Sequence, residues 1–283
     1  MSDLVFDHRQ CALGEGPLWH PERQQLFWFD IINKKMLSQT GDHPHAWQFD
    51  QHVSAAGWIN ADELLIASET ELFRFNIETS GRAHVCALEA DEPETRSNDG
   101  RADPWGGFWI GTMGKQLEPE AGAIYRYYKG AVEVLYQDIT IPNAICFSPD
   151  RQYAYFTDTP TKLIMRQALE TDGWPTGSAE VIIDLNADGT NPDGAVIDAE
   201  GCIWIALWGA SRIARFSPNG ALLSTVSLDA QQITCPSIGG TDLSTLFATS
   251  ATQGLTAPND VEGKTFNLML SGIKGQPEHR VVL

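Results

Sequence analysis

The chain has 283 residues, and its 19 Lys and Arg against 37 Asp and Glu give a formal net charge of −18 at pH 7. Nucleic acids and anionic membrane surfaces recruit basic patches, so this charge argues against both as partners and is compatible with a small ligand or a cation. A hydrophobic content of 42% and a charged content of 20% are ordinary for folded proteins and exclude bulk disorder.

The sequence predicts a cytoplasmic protein. No run approaches the roughly 18 uninterrupted apolar residues of a membrane span, and Met1–Gln10 contains two aspartates and lacks the apolar stretch of a signal peptide. The five cysteines are an odd number without a Cys-x-x-Cys pair. They indicate buried thiols in a reducing compartment rather than a disulfide framework.

Short runs of branched and aromatic residues follow one another along the chain, each bounded by Gly, Pro, Asp or Asn. This pattern is typical of β-strands, and no convincing amphipathic helix interrupts them. In chain order the runs are Gln25–Phe29, Glu63–Ile66, Leu72–Asn76, Gly107–Ile110, Ala123–Tyr127, Tyr153–Phe156, Cys202–Ile205, Arg212–Phe216 and Thr245–Ala248.

These runs belong to a larger unit that recurs six times. Each unit has an apolar strand, a polar turn such as His-Pro or Ser-Pro-Asp, and a second strand. Successive units begin 41 to 50 residues apart, at Gly16, Gly57, Gly100, Ala144, Gly194 and Ser237. A period of about 40–50 residues with several short strands is typical of β-propeller blades. We therefore predict an all-β, six-bladed β-propeller with four-stranded blades, a single domain over residues 1–283. A pair of β-sandwiches would explain the strands but not the period.

The repeat also predicts which side chains meet at the propeller axis. The innermost strands of all blades surround this axis, so residues at equivalent positions point into one volume. Counting back five residues from the turn before each second strand gives Glu15, Asn98, Asn143 and Asp193 in blades one, three, four and five. Blade two offers alanine there, and blade six is ambiguous by one residue.

Two carboxylates and two amides directed at one point are unfavourable unless a cation lies between them, because the charges repel and lose hydration. Oxygen ligands with two negative charges suit calcium, magnesium, manganese, or zinc at an open site. Taken singly, each of these residues is better explained as a turn or surface residue. Their shared register favours a metal site.

Four segments resemble the motifs of the SMP-30/gluconolactonase family, also called the regucalcin family. They occur in the family's order, and the similarity covers nearly the whole chain. The segments are Leu13–Trp19, then Arg96–Pro104 with Phe108–Met113, then Ile141–Asp150, and finally Asn191–Gly201 with Trp204–Gly209.

The resemblance implies a six-bladed propeller that hydrolyses a sugar lactone to the aldonic acid with one divalent metal, a carboxylic ester hydrolase. For this reaction we assign Asp193 a second role as the general base, since water activation needs a proton acceptor beside the metal. The family's metal ligands fall on Glu15, Asn143 and Asp193, and its substrate-contacting residues fall on Arg96, Asn98 and, more loosely, Asp99.

One loop departs from the family pattern. Some members have an acidic residue three positions after the Gly-Thr-Met of the second motif, where this chain has Gln116, preceded by Lys115. We expect both residues to overhang the site and contact substrate, which leaves the identity of the lactone open. We expect Arg96 to bind substrate hydroxyls or a carboxylate; the alternative is a surface-loop arginine after the acidic run Asp91–Glu94.

Two other functions remain open from the sequence. One is a propeller that binds calcium or a sugar acid without chemistry, and the other is a propeller esterase or phosphotriesterase. For the lactonase we expect one divalent ion, calcium or zinc first and manganese or magnesium as alternatives. The expected partner is a small sugar lactone, and the expected state is a monomer or weak homo-oligomer.

Overall fold

A computed structural model describes residues 4–283; Met1–Asp3 of the predicted single domain lie outside the described residues, and the domain assignment itself stays a prediction. The described chain forms 24 β-strands in six four-stranded antiparallel sheets, arranged as a six-bladed β-propeller. Residues 4–283 contain no α-helix, only a short 3-10 turn at Thr159–Thr161. The predicted fold class is confirmed.

Five blades each consist of four consecutive strands, numbered from the axis outward. Blade one has β2 (Gly14–His20), β3 (Gln25–Asp30), β4 (Lys35–Thr40) and β5 (His43–Gln48). Blade two has β6 (Val53–Asn60), β7 (Glu63–Ser68), β8 (Glu71–Asn76) and β9 (Arg82–Ala87). Blade three has β10 (Thr95–Ala102), β11 (Phe108–Gly114), β12 (Gly122–Tyr128) and β13 (Ala131–Ile139).

Blades four and five repeat this order. Blade four has β14 (Pro142–Phe147), β15 (Tyr153–Asp158), β16 (Leu163–Ala168) and β17 (Glu180–Asp184). Blade five has β18 (Asn191–Ile197), β19 (Ile203–Trp208), β20 (Arg212–Phe216) and β21 (Leu222–Ser227).

Blade six closes the ring with strands from both parts of the chain. Its three inner strands are β22 (Ile233–Gly239), β23 (Thr245–Ser250) and β24 (Thr265–Met269), and its outermost strand is β1 (Val5–Asp7). β1 pairs antiparallel to β24, with Val5 opposite Phe266. The first described strand therefore completes the last blade.

The core lies between neighbouring blades, where the second strands carry large apolar side chains. Trp28, Trp109 and Trp204 are buried in the second strands of blades one, three and five. Burial of such rings favours folding, because each removes a large apolar area from water. Four of the five cysteines are also buried, and none forms a disulfide.

The innermost strands share an irregularity that matters for the site. In five blades the pairing register with the second strand shifts near the start of the innermost strand. The shifts fall between Glu15 and Leu18, Ser97 and Gly100, Asn143 and Cys146, Pro192 and Ala195, and Ile233 and Pro236. Such bulges bend a strand and redirect its side chains. Blade two has its own shifts, the first between Val53 and Ala55.

Across residues 4–283, the fold offers no helix with the length and apolar character needed to cross a bilayer.

Candidate active site

A cavity of about 490 Å³ opens at the end of the axis where the innermost strands begin. All blades except blade two contribute to its lining. Its polar residues are Glu15, Arg96, Asn98, Asn143, Thr159, Asn191, Asp193, Gln232 and Gln253; its apolar residues include Leu13, Met113, Leu117, Ile141, Pro160 and Trp208. A lining that combines apolar side chains with a few polar groups is typical of small-molecule binding sites.

Five of the predicted site residues line this one cavity, although they come from four blades. They are Glu15, Arg96, Asn98, Asn143 and Asp193, all with less than a tenth of their surface exposed. The register count from the sequence had placed four of these five together. The other three predicted contacts, Asp99, Lys115 and Gln116, are not among the residues that line it.

Two glycines let the strands carry these side chains inward. Gly16, after Glu15, has φ +54°, and a Cβ there would lie 2.2 Å from the Ser54 carbonyl oxygen. Its N–H donates to the Glu15 Oε2 at 2.9 Å. Gly194, after Asp193, lies so close to blade six that a Cβ would lie 2.3 Å from a cysteine Sγ. Only glycine fits these close approaches.

A chain of hydrogen bonds orients the two amides on the cavity floor. Arg96 Nη1 donates to Asn98 Oδ1 at 2.9 Å, and Asn98 Nδ2 donates to Asn143 Oδ1 at 3.2 Å and to the Pro142 carbonyl at 3.0 Å. Because a guanidinium can only donate, Asn98 must present its oxygen to Arg96 and its NH₂ to Asn143.

Thr159 fixes the Asn143 amide from the other side. Its hydroxyl donates to the Pro192 carbonyl at 2.8 Å and so accepts from Asn143 Nδ2 at 3.0 Å. Asn143 Oδ1 must then point back toward Asn98 and the cavity. An amide oxygen has two lone pairs, and the bond from Asn98 uses one of them. The other is available for a ligand.

The two carboxyl groups of the cavity interact directly. The Glu15 and Asp193 side chains both line the cavity, and the charge of each acts on the other. Burial, then the negative charge of Asp99, raises the pKa of Glu15 to about 8. Burial and the charge of Glu15 raise the pKa of Asp193 well above its usual range. Without a cation, the pair therefore retains a proton near neutral pH, since two buried carboxylates this close cannot both ionise.

Arg96 is the positively charged side chain among the residues that line the cavity. Its burial lowers the pKa of the guanidinium to about 10, against the opposing attraction of Glu15, Glu69 and Asp193, so it stays charged at neutral pH. Its Nη1 is engaged by Asn98 Oδ1 and by the Ser97 carbonyl at 2.8 Å. The remaining N–H groups of the fork are left for a ligand.

Asp99 lies below the cavity floor. Its Oδ2 accepts a hydrogen bond from the Ile145 N–H at 2.8 Å, which ties blade three to the bulge that follows Asn143. Burial raises the pKa of Asp99 to about 6, and the Ile145 N–H opposes this rise. The structure thus gives Asp99 a bond to the strand that carries Asn143.

Lys115 is engaged away from the cavity. Its Nζ pairs with Glu69 Oε2 at 2.6 Å and donates to the Pro93 carbonyl at 2.7 Å. Gln116 is exposed, and its backbone N–H donates to Glu118 in the same loop. The neighbour that does reach the cavity from this loop is Leu117.

Sequence reasoning missed several residues of the cavity. Thr159 follows a strand in a Thr-Pro-Thr turn, and nothing in the repeat register marks it. Trp208 belongs to the fourth family motif, but a tryptophan beside a strand is more often a core residue. Gln232 and Gln253 come from blade six, where the register was ambiguous.

A second cluster of possible metal ligands lies outside this cavity. Asp198, Glu200 and Cys202 have ligand atoms within 4.8 Å of one another. Arg215 Nη2, however, pairs with Asp198 at 2.7 Å and with Glu200 at 2.5 Å. The charges of this cluster are already compensated by the arginine.

The donor set of the cavity fits a divalent cation. Glu15 and Asp193 offer carboxylate oxygens, and the hydrogen bond from Asn143 to Thr159 leaves an amide oxygen directed inward. Burial raises the pKa of both acids, and the charge of Arg96 offsets this only in part for Glu15. Three oxygen donors with up to two negative charges match the preferences of hard divalent ions and leave positions for water or substrate.

Comparison with known proteins agrees with this geometry. Residues 13–252 match the family model described as the SMP-30/Gluconolactonase/LRE-like region. The chain belongs to this family. The family match extends from blade one into blade six and includes every predicted site residue, as the resemblance of the four motifs implied.

Relatives of the family resemble the chain over nearly its full length. An assigned sugar lactone lactonase of Rhizobium meliloti (strain 1021) is 40% identical over 98% of both chains. A 6-deoxy-6-sulfogluconolactonase of Pseudomonas putida is 30% identical over 87% of this chain and 86% of its own. The crystal structure of a calcium-binding protein, regucalcin, from Agrobacterium tumefaciens strain C58 superposes with a TM-score of 0.95 at 38% identity, covering 99% of this chain and 97% of the other.

Proposed function

We propose that the protein is a divalent-metal-dependent hydrolase that opens a sugar lactone to the aldonic acid. The observation that carries the proposal is that the buried carboxyl groups of Glu15 and Asp193 line one cavity together with the Asn143 amide. Relatives with lactonase names at 30% identity or more support the substrate class.

In this proposal Glu15, Asn143 and Asp193 hold the metal. A bound divalent cation supplies Lewis-acid polarisation of the lactone carbonyl and lowers the pKa of adjacent water. The protein's own contribution is to keep three oxygen donors in place, through the Gly16 N–H on Glu15 and the Thr159 hydroxyl on Asn143.

Asp193 is the proposed general base. In the loaded state its carboxylate is ionised, since the cation replaces the proton that it shares with Glu15 in the metal-free protein. It accepts a proton from the attacking water as the C–O bond to the carbonyl carbon forms. It returns the proton to the ring oxygen as the ester bond breaks, so the product is a hydroxy acid.

Arg96 and Asn98 are the proposed substrate-orienting residues. The free N–H groups of the Arg96 fork donate to sugar hydroxyls, and the bond from Arg96 to Asn98 keeps the amide of Asn98 in one orientation. A lactone ring that is fixed against two directional groups reacts from one geometry, which lowers the barrier by positioning alone. Lys115 and Gln116 remain proposed contacts only for substrates that extend over the loop.

The proposed ion is calcium, with zinc, manganese and magnesium as alternatives. Oxygen-only ligation favours the hard ions over zinc, and the regucalcin neighbour is described as a calcium-binding protein. The proposed partner is a small sugar lactone, and the apolar wall around Trp208 can cover one face of its ring. A cytoplasmic, monomeric or weakly oligomeric protein stays a prediction.

The deciding experiment measures acid release from a panel of aldonolactones. Protein stripped with a chelator receives calcium, zinc, manganese or magnesium in turn, and pH-stat titration follows the product. We expect little release without metal and restored release with at least one ion. Phenyl acetate and a phosphotriester serve as control substrates.

Each alternative has its own outcome in this panel. Metal and sugar-acid binding without acid release would make the protein a binding propeller. Faster hydrolysis of the aryl ester or phosphotriester than of any lactone would replace the lactonase with another propeller hydrolase. Full lactonase activity in the chelated protein would refute the metal dependence.

A further inference from the structure

The C-terminal segment, Gly275–Leu283, crosses the end of the propeller opposite the cavity. The cavity residues lie near the beginnings of the innermost strands, whereas this segment contacts their ends and the turns that follow. Its hydrogen bonds run to Leu243 in blade six, Phe147 in blade four, Trp58 in blade two and Gly106 in blade three, at 2.7 to 2.9 Å.

Within this segment, Glu278 lies on the axis. Two voids of about 10 Å³ each flank it. One is lined by blades one, two, three and six together with Glu278, and the other by blades four and five together with Glu278; both also include Arg101. Glu278 and Arg101 together border residues of all six blades and therefore lie at the centre of the ring.

Glu278 and Arg101 form a buried ion pair there. The side chains are 7% and 12% exposed, and Arg101 Nη1 contacts Glu278 Oε1 at 2.5 Å. Arg101 Nη2 donates to the Ala195 carbonyl at 3.2 Å, and its Nε is buried with no partner among residues 4–283. The carboxylate of Glu278 is thus the charge that compensates this arginine from the C-terminal side.

The ion pair lies directly below the acidic cavity. The void that it borders also contains Asp99, whose Oδ2 bonds the strand of Asn143. Along the axis, the acids of the cavity and Asp99 lie on one side of Arg101, and Glu278 lies on the other. An unpaired positive charge at the position of Arg101 would repel a divalent cation through a poorly polarisable interior.

We propose that the C-terminal segment closes the axial channel and that Glu278 is a positioning residue for the metal centre. Its carboxylate neutralises Arg101, so that the cavity keeps the full attraction of Glu15 and Asp193 for a cation. The segment also blocks the opposite mouth, and ligands enter from the cavity side alone. This inference rests on the proposed metal-dependent function.

The test measures Mn²⁺ binding to chelated protein by calorimetry, for the wild type, Glu278→Gln, Arg101→Gln and the double variant. Glutamine at 278 keeps the shape and an acceptor for Arg101 but removes the charge. We expect Glu278→Gln to weaken binding by roughly tenfold. Arg101→Gln should not weaken it, and the double variant should return to within about twofold of the wild type.

The matched control is Asp103→Asn. It breaks another buried ion pair of blade three, that of Arg126 Nε with Asp103 Oδ2 at 2.7 Å, at a site away from the axis. This variant should lose stability but keep the Mn²⁺ affinity. If Glu278→Gln fails to fold, Arg101→Gln and the double variant still differ by the same carboxylate, and Arg101→Gln should bind Mn²⁺ several-fold more tightly.

Equal weakening in both single variants, or a double variant no better than Glu278→Gln, would show that the pair only holds the structure together and would overturn the inference. A wild-type protein that binds no divalent ion would instead refute the proposed function. The two failures are therefore distinguishable.

Discussion

Two buried acidic clusters of this propeller differ in what compensates them. In blade five, Asp198 accepts bonds from two backbone N–H groups and from the Trp204 indole, and it pairs with Arg215. At the axis, Glu15 and Asp193 have each other, and burial raises the pKa of both. Both clusters have the ligand types of a metal site. The axial pair has Arg96 nearby, but the hydrogen bonds of that arginine run to Asn98 and to the Ser97 carbonyl.

The comparison teaches that composition alone does not identify a functional carboxylate. A buried acid that is bonded on all sides holds a turn, as Asp198 does with the N–H groups of Glu200 and Cys202. A buried acid without compensation costs folding free energy, and such a cost persists where a ligand later offsets it. The predictions below test this distinction between the two clusters.

The largest expected effect is on turnover. Asp193→Asn keeps the size and one oxygen of the side chain but removes the proposed base, so kcat should fall by about 10³-fold at saturating metal. Asp198→Asn, in the compensated cluster, should keep kcat within about twofold of the wild type. Steady-state lactone hydrolysis measures both. Comparable losses in the two variants would remove the distinction between the clusters.

The free energy of unfolding should fall more in Asp198→Asn than in Asp193→Asn, the reverse of the order expected for kcat. Asp198→Asn leaves Arg215 partly buried beside Glu200 alone, and removing one partner of a buried pair costs about 3 kcal/mol. Urea unfolding in the presence of chelator measures this loss. Asp193→Asn in the same chelated state should cost far less, because it removes a carboxyl group whose ionised form is disfavoured by burial. A larger loss for Asp193→Asn contradicts the assignment of the axial pair.

Metal affinity should depend on Glu15. Glu15→Gln removes one of the two charges and should weaken divalent-ion binding by roughly 100-fold. In chelator at pH 8 its melting temperature should equal or exceed that of the wild type, because the neutral amide needs no counter-charge. Calorimetry and thermal unfolding supply the two numbers. A protein that loses stability yet keeps its affinity would place the metal elsewhere.

The smallest effect is a pH dependence. The pKa of Glu15 is raised to about 8 in the metal-free protein, so the protonated form is favoured by folding. Stability from this group is present at low pH and is lost as the pH rises from the usual glutamate range toward 8. Metal binding releases this proton, so affinity should rise by up to about tenfold per pH unit between pH 6 and 8. A flat profile would contradict the shared proton; Asp198→Asn should reproduce the wild-type slope.

The sequence predicted the fold because each blade repeats the same signals. Strand runs such as Arg212–Phe216 coincide with the observed β20, and the turn anchors recur for a physical reason. Asp103 and Asp198 each accept bonds from the N–H groups two and four residues later. A side chain that closes the turn in this way fixes the distance back to the axis.

Site residues could be predicted from the sequence only at the equivalent positions of the innermost strands. Glu15, Asn98, Asn143 and Asp193 lie on innermost strands, so counting placed them together. Residues from other parts of a blade follow no such count: Thr159 reaches Asn143 from the turn after β15, and Leu117 reaches the cavity from a loop.

The C-terminal pair could not be predicted for a different reason. Glu278 belongs to a segment outside the repeat, and its position depends on backbone contacts with four blades rather than on any motif. The contact between Glu278 and Arg101 joins residues far apart in the sequence, so only the closed ring shows that they meet.

The pairing of β1 with β24 determines when the propeller ring can close during synthesis. Blade one carries Glu15, and the blade beside it is complete only after residues 265–269 have met residues 5–7. During synthesis the first strand leaves the ribosome long before its partner exists, because chains emerge from the N-terminus. The cavity lining includes Gln232 and Gln253 of this last blade, so a chain that ends before blade six cannot form the complete cavity.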